Sequence, residues 1–183
     1  MPLVLNNDPL AAGCNTYVSA AEMASYVEDR CPDPEVGAAW RQLSTELKAT
    51  YLVNATRSID MIVDWTIGSK YSRDQNLDWP RYNAWVEGYL LDSTTFPKPV
   101  KEATCEMAIW AMQNNGIVAV SQDAAYDAIK VGPLTIDFNQ DVQGPLNKYF
   151  PDVIAYLLKD YGAVGNPMIP GANMAKNVTL RRA

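Results

Sequence analysis

Catalysis needs side chains that carry a proton, an electron pair or a metal ion, and this sequence offers few arranged to do so. Its 183 residues contain no histidine, which removes the Ser-His-Asp and Cys-His nucleophilic machineries. A Ser-Lys pair is still permitted, but no SxxK spacing occurs. The nearest acidic groupings are Glu28-Asp29, Asp33 with Glu35, and Asp123 with Asp127. Helical neighbours such as Glu28 and Asp29 point to different faces and cannot jointly flank one bond, so these groups read as solvated surface. The run Asp137-Phe138-Asn139-Gln140-Asp141 suggests a calcium loop, but Val142 and Lys148 stand where that loop needs Gly and Glu. Cys14, Cys31 and Cys105 are odd in number and widely spaced, with no CxxC pair, which predicts packed, reduced thiols and no zinc site. Gly162, Gly165 and Gly171 precede no helix, so no phosphate-cradling loop is expected. The expectation is a protein without catalytic, metal-binding or cofactor-binding residues, and so not an enzyme.

Aromatic side chains are the remaining candidates for ligand contact. Five tryptophans and ten tyrosines can stack on single-stranded nucleic acid. Trp40, Trp65 and Trp110 fall within amphipathic helical stretches, where core packing accounts for them. Trp79 and Trp85 sit in an irregular stretch and are freer to lie at a contact. Lys and Arg are not interleaved with them, and the net charge of −6 opposes binding that draws its affinity from neutralised phosphates. Local basic spots exist at Arg181-Arg182 and at Lys98 and Lys101. An acidic surface also suits a protein past which DNA slides without sticking.

A hydrophobic share of 48% with 20% charged residues is globular composition, sufficient for one core. The apolar stretches fall short of the ~20 residues that span a bilayer. Met1 to Gly13 lacks the basic start and apolar segment of a signal peptide, so a cytoplasmic, reduced setting is expected. In that setting the glycosylation patterns at Asn54 and Asn177 carry no meaning.

The elements that position these residues can be traced along the chain. Residues 1–16, with Leu3-Val4-Leu5 followed by turn formers, read as an N-terminal arm. Ser19-Ala20-Ala21-Glu22 is a capping box opening a helix from about Ala20 to Cys31, stopped by Pro32. Asp33-Pro34 restarts a short helix anchored by Trp40 and Leu43. A long helix from about Thr45 to Trp65 carries Leu47, Tyr51, Leu52, Ala55, Ile59 and Ile62 as one apolar stripe. The next thirty or so residues are irregular around Trp79-Pro80-Arg81, with Trp85 to Leu91 as a helical turn or packed loop. A helix from about Val100 to Gln113 places Val100, Ala103, Met107 and Trp110 inward, and Asn114-Asn115-Gly116 caps it. Alternating runs at about 125–139, divided by Gly132-Pro133, predict a β-hairpin that needs a neighbour for support. Phe150-Pro151 opens a last helix to about Tyr161, with Val153, Ile154, Leu157 and Leu158 buried and Gly162 as its stop. Residues 163–183 form an extended C-terminal tail. The fold expected is mainly α: a compact helical bundle of about four to five helices in residues 17–162, with one β-hairpin and extended N- and C-terminal arms.

An apolar arm, a lone hairpin and a long tail are costly to order in an isolated chain. They become ordered when neighbouring subunits supply the missing burial by strand addition or groove binding; the alternative is that the ends simply stay unfolded. The expected interface residues are Leu3, Val4 and Leu5; Trp79 and Arg81; Val131, Gly132, Pro133 and Leu134; and Val178, Leu180, Arg181 and Arg182.

Certain residues also carry a family resemblance. Tyr17-Val18-Ser19-Ala20-Ala21-Glu22 is followed by Trp40, Leu52, Ala55-Thr56 and Ile59-Asp60, then by Gln75, Leu77 and Trp79-Pro80-Arg81. Pro97-Lys98-Pro99-Val100-Lys101 leads to Ala103 and Glu106-Met107-Ala108, and then to Lys130-Val131-Gly132-Pro133-Leu134. Over roughly residues 14–160 this order resembles a tailed-phage family often labelled DnaT-like single-stranded-DNA-binding proteins. It is similar in layout to head–tail connector (adaptor) proteins, which dock beneath the portal ring. The resemblance implies a virion protein of the phage neck, assembled in the host cytoplasm as a homo-oligomeric ring, usually twelve-fold. Its partners would be further copies of itself, the portal protein and downstream tail or neck proteins. DNA would pass through the channel without sequence-specific binding, and no membrane would be involved. In that reading Trp79-Pro80-Arg81 is a rigid corner between helices, although a purely intramolecular corner accounts for the same residues. The hairpin at Gly132-Pro133 would face the channel or the next ring, and Val178 to Arg182 would add a strand to a neighbour or reach the portal. Single-stranded-DNA binding is the second expectation.

Overall fold

The computed structural model describes residues 3–31, 33–114, 128–131, 134–137 and 151–164. Among them are five α-helices and four two-stranded antiparallel pairs, the mainly α fold expected. Helix α1 (Ala20–Arg30) begins with the full capping box, Ser19 and Glu22 each accepting a bond from the other's backbone N–H. Helix α2 (Pro34–Gln42) is capped by Asp33, which accepts from the Glu35 and Val36 N–H groups. Helix α3 (Thr45–Ile62) is capped by Ser44 and buries Leu52, Val53, Ala55, Thr56, Ile59 and Ile62. Helix α4 (Lys98–Gln113) buries Val100, Ala103, Met107 and Ala108 and packs on α3, α1 and α2. Helix α5 (Asp152–Leu158) closes the bundle against α4 through Ile154 and Leu158.

Three expectations on helix limits and faces are corrected. The α3 stripe is one residue narrower than expected: Leu47, in the first turn of α3, is 48% exposed. Val153 of α5 is likewise exposed. The long helix also stops at Ile62, three residues earlier than its periodicity suggests. Val63–Trp65 is instead strand β1, paired with Gly162–Val164 (numbered β8 below, at its place in chain order). Residues 163 and 164, expected in the tail, therefore belong to a strand of the folded domain. A Cβ on Gly162 would meet the Asp64 carbonyl oxygen at 2.5 Å, so the close approach of β1 requires glycine there.

The stretch expected to be irregular contains β2 (Ser69–Lys70) paired with β3 (Arg81–Tyr82), then a hairpin of β4 (Trp85–Val86) and β5 (Tyr89–Leu90). Trp85 to Leu90 is thus a short hairpin, where a helical turn or packed loop is expected. Such short ladders have too few residues to show the alternation by which a strand is recognised. The hairpin expected at 125–139 is present as β6 (Ala128–Val131) and β7 (Leu134–Asp137), joined with Val131 opposite Leu134. Pro32, Gly132, Pro133 and residues 165–183, with Val178, Leu180, Arg181 and Arg182, lie outside the described residues. The N-terminal arm is partly folded onto its own chain. Asn15 donates to the Val4 carbonyl and accepts from the Asn6 N–H, Asn76 donates to the Ala12 carbonyl at 2.6 Å, and Cys14 and Thr16 are buried.

Candidate docking surface

The residues of the Trp-Pro-Arg corner are committed to the inside. Trp79 is 1% exposed, edge-on to Trp65 and Tyr161, and joined to Pro80 by a cis peptide bond. Arg81 is 8% exposed; its guanidinium donates to the carbonyls of Ile67 at 2.6 Å and Gly68 at 2.9 Å. Gln75 donates to the carbonyls of Leu77 and Pro80. The corner is therefore intramolecular, which corrects the docking role expected of Trp79 and Arg81: neither side chain is available to a partner.

The same holds for much of the sequence that carries the family resemblance. The Tyr17 hydroxyl donates to Asp60 on α3 and accepts from the Trp79 N–H at 3.2 Å, and Asp60 also accepts from the Asp78 N–H at 3.2 Å. Lys70 and Asp78 form an ion pair at 2.6 Å beside this group. Burial first, then the Asp78 carboxylate, pushes the Asp60 carboxyl up to about 7 against the opposing Tyr17 hydrogen bond. Burial, with Asp60 next to it, raises the Tyr17 phenol as well. Lys101 of α4 reaches Glu22 of α1 at 2.6 Å, and Tyr26 donates to Glu106 at 2.6 Å. Residues far apart in sequence thus meet as structural ties among the arm, α1, α3, α4 and the corner. They tie distant parts of the chain together. Among the described residues no group of His, Cys, Asp and Glu is placed to hold a metal ion.

Among the large apolar side chains left exposed, those of the β4–β5 hairpin lie together on one element. Its turn puts Glu87 at φ 50° and Gly88 at φ 84°, the left-handed pair that a two-residue hairpin loop needs. Leu91 donates to the Ala84 carbonyl at 2.8 Å, closing the base. Asn83, also at positive φ, accepts from the Trp85 indole N–H at 3.0 Å and fixes the ring. Trp85 lies opposite Leu90 and Val86 opposite Tyr89. Val86 packs against the core, while Trp85 (53% exposed), Tyr89 (75%), Leu90 and the preceding Tyr82 face solvent. From Tyr82 to Pro97 the chain carries Glu87 and Asp92 and no Lys or Arg. Hydrogen bonds from Thr94 hold Asp92 below the usual carboxylate range. Glu87 lies near Tyr161, whose phenol is raised by burial and by the Asp160 and Glu87 charges. The site is an exposed aromatic hairpin of acidic character.

Of the expected contact residues, Leu3 and Val4 are exposed and Leu5 is half-buried; Val131 and Leu134 pair across the β6–β7 turn. Sequence reasoning picks out Trp85 as free for contact but misses Tyr82, Tyr89 and Leu90. The Glu87-Gly88 turn between apolar pairs is the available signal.

The fold is that of a mainly α protein with short paired strands. The family described as "Putative DnaT-like ssDNA binding protein" matches residues 1–183, and the chain belongs to it. No curated protein and no solved structure matches the chain.

Proposed function

We propose that this chain is a non-catalytic assembly subunit, a head–tail adaptor that docks onto neighbouring proteins in the neck of a tailed phage. The observation that carries this reading is the β4–β5 hairpin. It holds exposed Trp85, Tyr89 and Leu90 in a stretch, residues 82–97, that carries Glu87 and Asp92 and no Lys or Arg. Aromatic groups on an anion-bearing edge favour a protein partner and disfavour a phosphate backbone. Strand edges that, among the described residues, pair only with each other supply backbone groups for strand addition. Layout resemblance to connectors supports a ring of this chain on the portal, with DNA passing through and no membrane involved.

The family description favours a second reading, single-stranded-DNA binding, and the comparison supports it more directly than it supports an adaptor. Tyr82, Trp85 and Tyr89 are of the type on which bases stack. Two measurements separate the readings. Mass photometry of the purified chain with portal and tail proteins should show ring-sized assemblies; a monomer indifferent to every partner overturns the adaptor reading. Titration with single-stranded DNA at rising salt should show affinity falling steeply if DNA is the ligand; absence of binding at low salt overturns that one.

A further inference from the structure

The proposed docking surface has an acidic rim, and the charges of this sequence are unevenly divided. All twenty-one Asp and Glu residues precede residue 161, while residues 165–183 contain Lys176, Arg181 and Arg182 and no acid. Within that basic stretch, Val178-Thr179-Leu180-Arg181-Arg182 has the composition of a short strand. In extended form its alternation places Val178, Leu180 and Arg182 on one side. Trp85 and Leu90 share one face of the β4–β5 hairpin. Its strands pair only with each other among the described residues, and Glu87 and Asp92 stand beside it without a basic neighbour in the sequence.

We propose that the β4–β5 hairpin receives the Val178–Arg182 segment of a second copy of this chain. Added along one edge, the segment lays Val178 and Leu180 over Trp85 and Leu90. The arginines then lie against Glu87, Asp92 and the aromatic rings, where charge and cation–π attraction act together. Thirteen residues separate Val164, the last of β8, from Val178, enough to bridge up to about 45 Å when extended. The inference rests on the docking reading above and names the partner of that site.

The test mixes two full-length variants, Tyr89→Cys and Ala183→Cys, under mild oxidation, alone and with portal protein present. The mixed disulfide dimer should form at least about tenfold faster than with Thr50→Cys in place of Tyr89→Cys, because docking raises the effective concentration of the pair. Thr50 is exposed on α3, so its variant reports random encounter and any contribution of Cys31. Raised salt should slow the specific reaction, and Arg181→Glu with Arg182→Glu should bring it down to the control rate. A rate equal to the control, or one untouched by the charge reversal, overturns the proposal. So does a Tyr89→Cys, Ala183→Cys double variant that closes only within its own chain. If Trp85→Ser with Leu90→Ser still abolishes assembly while no tail disulfide forms, the docking surface stands and its occupant is a different segment.

Discussion

At the scale of single residues the most informative group is Asp60. Its carboxylate accepts from the Tyr17 hydroxyl and the Asp78 N–H, with Asp78 and Lys70 the charged groups beside it. Enclosure outweighs those hydrogen bonds and lifts the carboxyl to about 7. The folded chain therefore keeps a proton that the unfolded chain releases near 4. Folding stability must fall as pH rises between these values and level off above about 7, a loss of roughly 2–4 kcal/mol. Thermal melts from pH 5 to 8 should show the melting temperature dropping with pH. Asp60→Asn should flatten that slope; an equal slope in the variant would place the titration elsewhere. Nothing in local sequence announces this network, because Tyr17, Asp60 and Asp78 are brought together only by the packing of the arm and the corner on α3.

At the scale of elements, helix caps and apolar spacing are legible in short stretches of sequence. Ser19 and Asp33 cap the helices expected of them, and Ser44 caps α3, since a cap depends on residues within one turn of it. The limits of α3 are less legible. Leu52 and Leu47 share a stripe in sequence but not in burial, and substitution should separate them. Leu52→Asp should unfold the domain by burying a charge, whereas Leu47→Asp should shift stability by no more than about 0.5 kcal/mol. Chemical denaturation of the pair measures both, and equal losses would mean that α3 is rotated from its described phase. The β1–β8 pairing gives a second test. Gly162→Ala forces a methyl group toward the Asp64 carbonyl and the Val63 side chain, and should cost about 1–3 kcal/mol. A melting temperature unchanged by Gly162→Ala would mean that these strands do not lie so close.

At the scale of the whole molecule, the interior absorbs Trp79 and Arg81, which stand out in the sequence, and the exterior shows an aromatic hairpin of which only Trp85 does. Trp85→Ser with Leu90→Ser removes apolar groups that face solvent, so the fold should persist with its melting temperature within a few degrees. Assembly with neighbouring subunits should be lost, as read by mass photometry. Retained assembly would remove the hairpin from the interface. The charge distribution belongs to this scale too: acids lie through residues 8–160 and the last cations beyond 175, the separation on which the proposed docking of one copy's tail rests.

The sequence by itself determined the helical class, the caps, the hairpin at residues 128–137 and the lack of histidine-based chemistry. Each depends on composition or on residues a few positions apart. Only the tertiary structure decided that Trp79 and Arg81 lie inside, that Val63–Trp65 leaves its helix to pair with Gly162–Val164, and that Tyr82, Trp85, Tyr89 and Leu90 remain outside. Burial is a property of what lies across the core, often sixty or more residues away in the chain, and such contacts leave no period for a local pattern to reveal.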